Sequence, residues 1–167
     1  VYETYFVTRG DVEFARENPG ELQHFFLMSK RITATDTTVA VCLLDGYFDS
    51  QIKIDFSEEA LKYLQIMDRT TGKEHKDFTA DEENNMIIIN NAIPFHDYTV
   101  AFMAFNTWDS TQMYNYITNN WNIDKHSPYD PRYPKTKEHI KLALRKWLKE
   151  NPDISVVRFT TFLYHFF

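Results

Sequence analysis

An α/β architecture, with a β-rich stretch set ahead of a strand-helix-helix-strand unit, is the fold class the sequence predicts. Three observations carry it. Between Leu22 and Asn91 the apolar residues fall in short runs broken by turn signals, the pattern of strands joined by tight connections. Tyr98 to Phe105 is then almost unbroken apolar residue, which is how a strand buried on both faces of a parallel sheet reads. Finally, a helical period that begins at Pro134 is followed by a second apolar run, Ser155 to Phe159. That order is a βαβ crossover, and barrels and doubly wound sheets both satisfy it.

In chain order, the strands expected in the first half are His24 to Met28, Thr37 to Leu44, Gln51 to Phe56, Leu64 to Met67 and Met86 to Ile89. Asp45-Gly46, Thr71-Gly72 and Glu83-Asn84-Asn85 supply the turns. The stretch from Leu64 alternates up to the turn at Gly72, and Met86 to Ile89 is expected to pair back on it as a hairpin arm. After Phe105, Asp109 or Ser110 can cap a helix running through Met113, Tyr114 and Ile117. The following helix is the best defined. Pro134 opens it, Ile140, Ala143, Leu144, Trp147 and Leu148 share one face, and Asn151-Pro152 ends it. The chain thus divides into a β-rich segment, 22–93, and a βαβ section, 97–167.

Composition narrows the function. With 43% hydrophobic and 25% charged residues the 167-residue chain is globular. No apolar run approaches the roughly 18 residues that span a bilayer, so no membrane partner is expected. The 4 glycines are isolated from one another, which excludes a dinucleotide fingerprint or a phosphate-cradling loop. Cys42 stands alone, so neither an intrachain disulfide nor a thiolate zinc site can form, and a reducing, cytoplasmic setting fits. A net charge of −6 argues against nucleic acid, whose phosphates are bound by clustered Lys and Arg. The 6 histidines fall into no metal-ligand spacing, so no metal is expected. Aromatic residues reach 16%, and the chain opens at Val1 and closes on Phe166-Phe167, which reads as an internal piece of something longer.

In a parallel sheet the functional residues sit just past the carboxyl ends of the strands. Two segments qualify: Asn106 to Asn115, and Arg158 to His165. Both mix amide, hydroxyl, aromatic and guanidinium groups, a set that suits a neutral polyhydroxyl ligand. Each candidate also has a structural reading. Asp109 reads first as a helix N-cap, because its spacing to Gln112 imitates a capping box. Trp108 serves packing as well as stacking, and Asn115, one turn into the helix, can be a solvated amide. Arg158 differs, since a cation within an apolar strand needs an anion or a set of acceptors if it is buried. No Ser-His-Asp set can be assembled, and the residues by themselves leave the catalytic question open.

The runs Trp108-Asp109-Ser110-Thr111-Gln112-Met113-Tyr114-Asn115 and Asp153 to Phe162 resemble the 1,3-β-galactosyl-N-acetylhexosamine phosphorylases. The resemblance extends to Tyr5-Phe6-Val7-Thr8-Arg9, to Met67-Asp68-Arg69-Thr70-Thr71-Gly72 and to Asn119-Asn120-Trp121, covering the chain in order. It implies that residues 1–167 are part of one catalytic domain, a fragment of a partly broken (β/α)8 barrel. It also implies an inverting phosphorylase that splits galactosyl-β1,3-N-acetylhexosamines with inorganic phosphate, giving α-galactose 1-phosphate. A relative acting on galactosyl-β1,4-rhamnose belongs to the same family, and a non-catalytic carbohydrate-binding module is the reading from another class.

By the same resemblance, Asn115 and Arg158 line the sugar site and Thr111 faces the acceptor sugar, where it tunes N-acetylhexosamine against rhamnose. Arg9 lies in the matching Thr-Arg motif, beside Trp108 and Asp109 as further candidates. Ser110 departs from the pattern, since several family members carry proline there. The general acid is an aspartate beyond Phe167, so no catalytic residue is assigned within the chain and residues 1–167 are expected to be inactive alone. No cofactor is implied; phosphate is a co-substrate, and the parent is expected to be a cytoplasmic homo-oligomer acting on a small sugar.

Overall fold

A computed structural model describes residues 2–6, 12–47, 51–107, 117–120 and 127–159, without the side chains of 2–6 and of Phe159. The chain forms two compact units, residues 24–106 and the flanking segments 1–23 and 107–167.

The unit 24–106 is antiparallel throughout its described pairings. Its larger sheet is built on a ten-residue strand, β10 (Asp97–Asn106). Along one edge β10 takes β2 (His24–Met28) and β3 (Ile32–Thr33); along the other it takes β5 (Ile52–Ile54) and β6 (Gln65–Asp68), and β6 in turn pairs β7 (Lys73–His75). A smaller sheet has the order β4 (Val39–Cys42), β9 (Met86–Ile89), β8 (Phe78–Asp81). Alternate residues of the two sheets form one core: Val39, Val41, Ile87 and Ile89 from the smaller, Ile54, Ile66, Tyr98, Val100 and Phe102 from the larger. A short helix, α2 (Glu58–Leu61), links β5 to β6, and Ser57 Oγ caps it by accepting from the N–H of Ala60.

Two expectations are corrected here. Met86 to Ile89 does not return onto Leu64 to Met67; it pairs with β4 and β8. β6 finds its hairpin partner immediately across the Gly72 turn, in β7, and closing that short loop costs less chain entropy than closing the longer one. The second correction concerns Tyr98 to Phe105, which is central but antiparallel to all four of its partners. A strand paired on both edges, with one face in the core and the other carrying Ala101, Met103 and Phe105, has the same unbroken apolar run as a parallel strand. Periodicity alone does not separate the two. The antiparallel unit therefore extends through Asn106, past the boundary at 93.

In the flanking segments β1 (Tyr2–Phe6) pairs in parallel with β11 (Ile154–Phe159), with Tyr5 opposite Arg158 and Phe6 opposite Phe159. The connection between these two strands contains the entire antiparallel unit and the long helix. That helix, α3 (Pro134–Glu150), has the bounds its proline start and Asn-Pro stop predict. Thr136 is its buried residue, while Ile140, Ala143, Leu144 and Trp147 are half-buried at helical spacing. Leu148, expected on the same stripe, is exposed at 41%; it lies one position round from Trp147, at the edge of the stripe. The shorter helix α1 (Val12–Glu17) meets α3 through Phe14, whose ring stacks on His139 at 4.0 Å and meets Tyr129 edge-on at 5.3 Å.

Candidate functional site

Parallel pairing brings the carboxyl ends of β1 and β11 side by side. In sequence, Val7-Thr8-Arg9 follows the end of β1, and Thr160-Thr161 follows the end of β11. Arg158 sits one residue before the end of β11 and is exposed. Being exposed, Arg158 is not an unpaired buried charge, and the expectation built on burial does not apply to it. Arg9, Trp108, Asp109, Thr111 and Asn115 lie outside the described residues, as does the helix capped at Asp109 or Ser110 except for residues 117–119, which are helical.

The flanking segments are also held together by contacts that sequence reasoning missed. Glu21 reaches the start of α3, where one carboxylate oxygen accepts from the backbone N–H of Thr136 at 2.5 Å and from its hydroxyl at 2.8 Å. The carboxylate satisfies an N–H that the first helical turn leaves without a partner, at the positive end of the helix dipole. Residues 21–23 also run against 128–130: Leu22 bridges Tyr129, the N–H of Asp130 donates to Glu21 and that of Gln23 to Pro128. Asp130, fully buried, accepts from Nε of Arg132 at 3.0 and 2.9 Å and from its Nη2. The Glu21–Thr136 pair is not signalled by spacing, because the two residues are 115 positions apart.

The described aspartates of the antiparallel unit are occupied structurally. Asp68 is buried, and burial works to raise its carboxyl. Hydrogen bonds from His96, from the Thr71 hydroxyl and from the backbone N–H groups of Thr71 and Thr70 outweigh that and hold it at about 2. The His96 Nδ1 lies 2.8 Å from Asp68 Oδ2, tying the end of β6 to the loop before β10. The same turn ends at Gly72, whose φ of +71° suits glycine, and whose N–H donates to Asp68 O at 2.8 Å. Arg69 is also engaged, donating to Thr99 Oγ1 at 2.7 Å. The Met67 to Gly72 motif thus builds a turn. Asp55 is similar: against burial, which raises it, the N–H and hydroxyl of Ser57 and the ring of His24 at 3.0 Å lower its carboxyl. A carboxyl held low cannot deliver a proton near neutrality.

Comparison with known proteins decides the lineage. The model of the lacto-N-biose phosphorylase N-terminal TIM barrel domain matches residues 1–167. The chain belongs to that family. It is 41% identical over 170 residues, 99% of its own length and 24% of the relative's, to a 1,3-β-galactosyl-N-acetylhexosamine phosphorylase of Lachnoclostridium phytofermentans. The enzyme of that name from Bifidobacterium longum is 34% identical over 99% of the chain and 22% of the relative. A D-galactosyl-β-1→4-L-rhamnose phosphorylase of L. phytofermentans is 34% identical over 99% and 23%. The chain therefore spans about a quarter of the length of the curated relatives it matches. Family and structure agree on a mixed fold of sheet and helix, and no helix among the described residues is long and apolar enough to cross a membrane.

Proposed function

We propose that the chain is part of an inverting β-galactoside phosphorylase, a hexosyltransferase that cleaves galactosyl-β1,3-N-acetylhexosamine with inorganic phosphate to α-galactose 1-phosphate and the free N-acetylhexosamine. The observation that carries the reading is the match to relatives of that name along 99% of the chain. In this reading β1 and β11 are neighbouring strands of the catalytic barrel, and the antiparallel unit is an excursion from it.

The chemistry fits the residues. An inverting hydrolase needs an acid for the leaving oxygen and a base to activate water on the opposite face. Phosphate is already an anionic nucleophile, so one acid and a cationic, hydrogen-bonding pocket suffice. Arg158, exposed at a strand's carboxyl end, supplies a planar fork of donors suited to phosphate or sugar oxygens. Asn115, Thr111, Arg9, Trp108 and Asp109 complete the proposed contacts, with Thr111 toward the acceptor sugar. The acid comes from the parent outside residues 1–167, which is why the low carboxyls of Asp68 and Asp55 are no obstacle and why this segment is inactive by itself. The parent is a cytoplasmic homo-oligomer, with no cofactor.

The test is a product assay on the full-length parent with phosphate and galacto-N-biose, lacto-N-biose or galactosyl-rhamnose. Formation of α-galactose 1-phosphate from the first two supports the reading. Preference for galactosyl-rhamnose would move the protein to the other activity named among its relatives, and release of free galactose without phosphate would overturn both.

A further inference from the structure

Arg69 lies across three strands of the larger sheet. It follows the end of β6, donates from Nε to Thr99 Oγ1 on β10 at 2.7 Å, and reaches Met28 at the end of β2, where Nη2 donates to Sδ at 2.9 Å. Met28 is held at its backbone too. The Tyr47 hydroxyl donates to its carbonyl at 2.7 Å and accepts from its N–H at 3.2 Å. Yet Met28 is 49% exposed, whereas Met67, Met86 and Met103 are half-buried. Its sulfur therefore stands open to small oxidants while one lone pair, a weak acceptor, faces a guanidinium.

We propose that Met28 is a peroxide-oxidation site whose sulfoxide Arg69 holds, so that oxidation tightens the link between β2 and β6. The sulfur attacks one peroxide oxygen: an S–O bond forms, the O–O bond breaks, and the sulfur gives up two electrons as the peroxide is reduced. The proton on the transferred oxygen passes to the departing hydroxide, which leaves as water. Rotation about Cγ–Sδ then turns the new oxygen to Nη2. That oxygen carries far more negative charge than a thioether sulfur, and a guanidinium hydrogen bond to it is charge-assisted. Oxidised methionines commonly disrupt their surroundings, because an apolar side chain becomes polar. At Met28 the new dipole meets a cation already anchored by Thr99. The step needs neither phosphate nor sugar, so it can fail without the proposed activity failing.

The experiment treats the full-length parent with hydrogen peroxide, quantifies its methionine peptides by mass spectrometry, and reads backbone hydrogen exchange over residues 24–33 and 65–75 before and after. Met28 should be oxidised at least about fivefold faster than Met67, Met86 and Met103. Exchange of the two segments should slow about twofold or more on oxidation, with no slowing in Met28→Leu. In Arg69→Ala the sign should reverse, oxidation now speeding exchange; if that variant does not fold, the wild type and Met28→Leu decide. Met28 oxidised no faster than the other three, exchange unchanged or faster in the oxidised wild type, or slowing that persists in Met28→Leu or Arg69→Ala would each overturn the proposal.

Discussion

The two units of the chain spend their polar residues differently. In the antiparallel unit several polar groups are tied into the fold: Asp68 to His96 and the Thr70-Thr71 turn, Asp55 to His24 and Ser57, Arg69 to Thr99. The flanking segments instead form a parallel pair, with the exposed Arg158 one residue before the carboxyl end of β11. Antiparallel strands reverse direction at each turn, so both ends of the sheet are consumed by tight connections. Parallel strands leave all their carboxyl ends on one side, where loops are free to hold a ligand. Polar residues near turns of the first unit are thus expected to govern stability, and those beyond β1 and β11 to govern activity.

That contrast can be broken by measurement. Phe102, 1% exposed between the two sheets, fills the core, and Phe102→Ala should cost about 3–5 kcal/mol in denaturant unfolding of the antiparallel unit; a loss below 1 kcal/mol would mean that the sheets share no packed core. Asp68 carries the next effect. Its carboxyl is held at about 2 against an ordinary 3.8, so the folded state favours the charged form. The stabilisation is full above pH 4, is lost as pH falls from 4 towards 2, and amounts to about 2 kcal/mol. Acid unfolding of Asp68→Asn should lack that pH-dependent step, with phosphorolysis by the parent unchanged near neutrality.

Arg158 is the opposite case. In the full-length parent Arg158→Ala should lower kcat/KM for phosphorolysis of galacto-N-biose at least tenfold, about 1.4 kcal/mol, with the melting temperature kept; wild-type rates would remove Arg158 from the site. Asn115→Ala is expected to behave alike. The smallest effect is at Gly72, where a Cβ meets nothing within 4 Å but φ is +71°. Gly72→Ala should therefore cost about 1 kcal/mol through backbone strain alone, read as a shift in the unfolding midpoint with activity untouched.

Much of the element content was legible in the sequence. His24 to Met28 and Met86 to Ile89 are strands with the expected bounds, and α3 runs between its proline start and Asn-Pro stop. These are local properties: alternation, helical period and backbone restriction act within a few residues. The candidate site was legible only through resemblance, since amides, hydroxyls and one arginine near strand ends form no spacing that chemistry demands.

What the chain by itself determined, then, is where strands, turns and helices start and stop. Tertiary structure decided the partners. Tyr98 to Phe105 has the sequence of a strand covered on both faces, and only its pairing shows that its partners are antiparallel. Glu21 finds the start of a helix 115 residues away, and Tyr2–Phe6 finds Ile154–Phe159 across nearly the whole chain. Pairing at that range depends on which surfaces remain to be buried once the local elements exist, a free energy of the assembled core that no short stretch of residues contains.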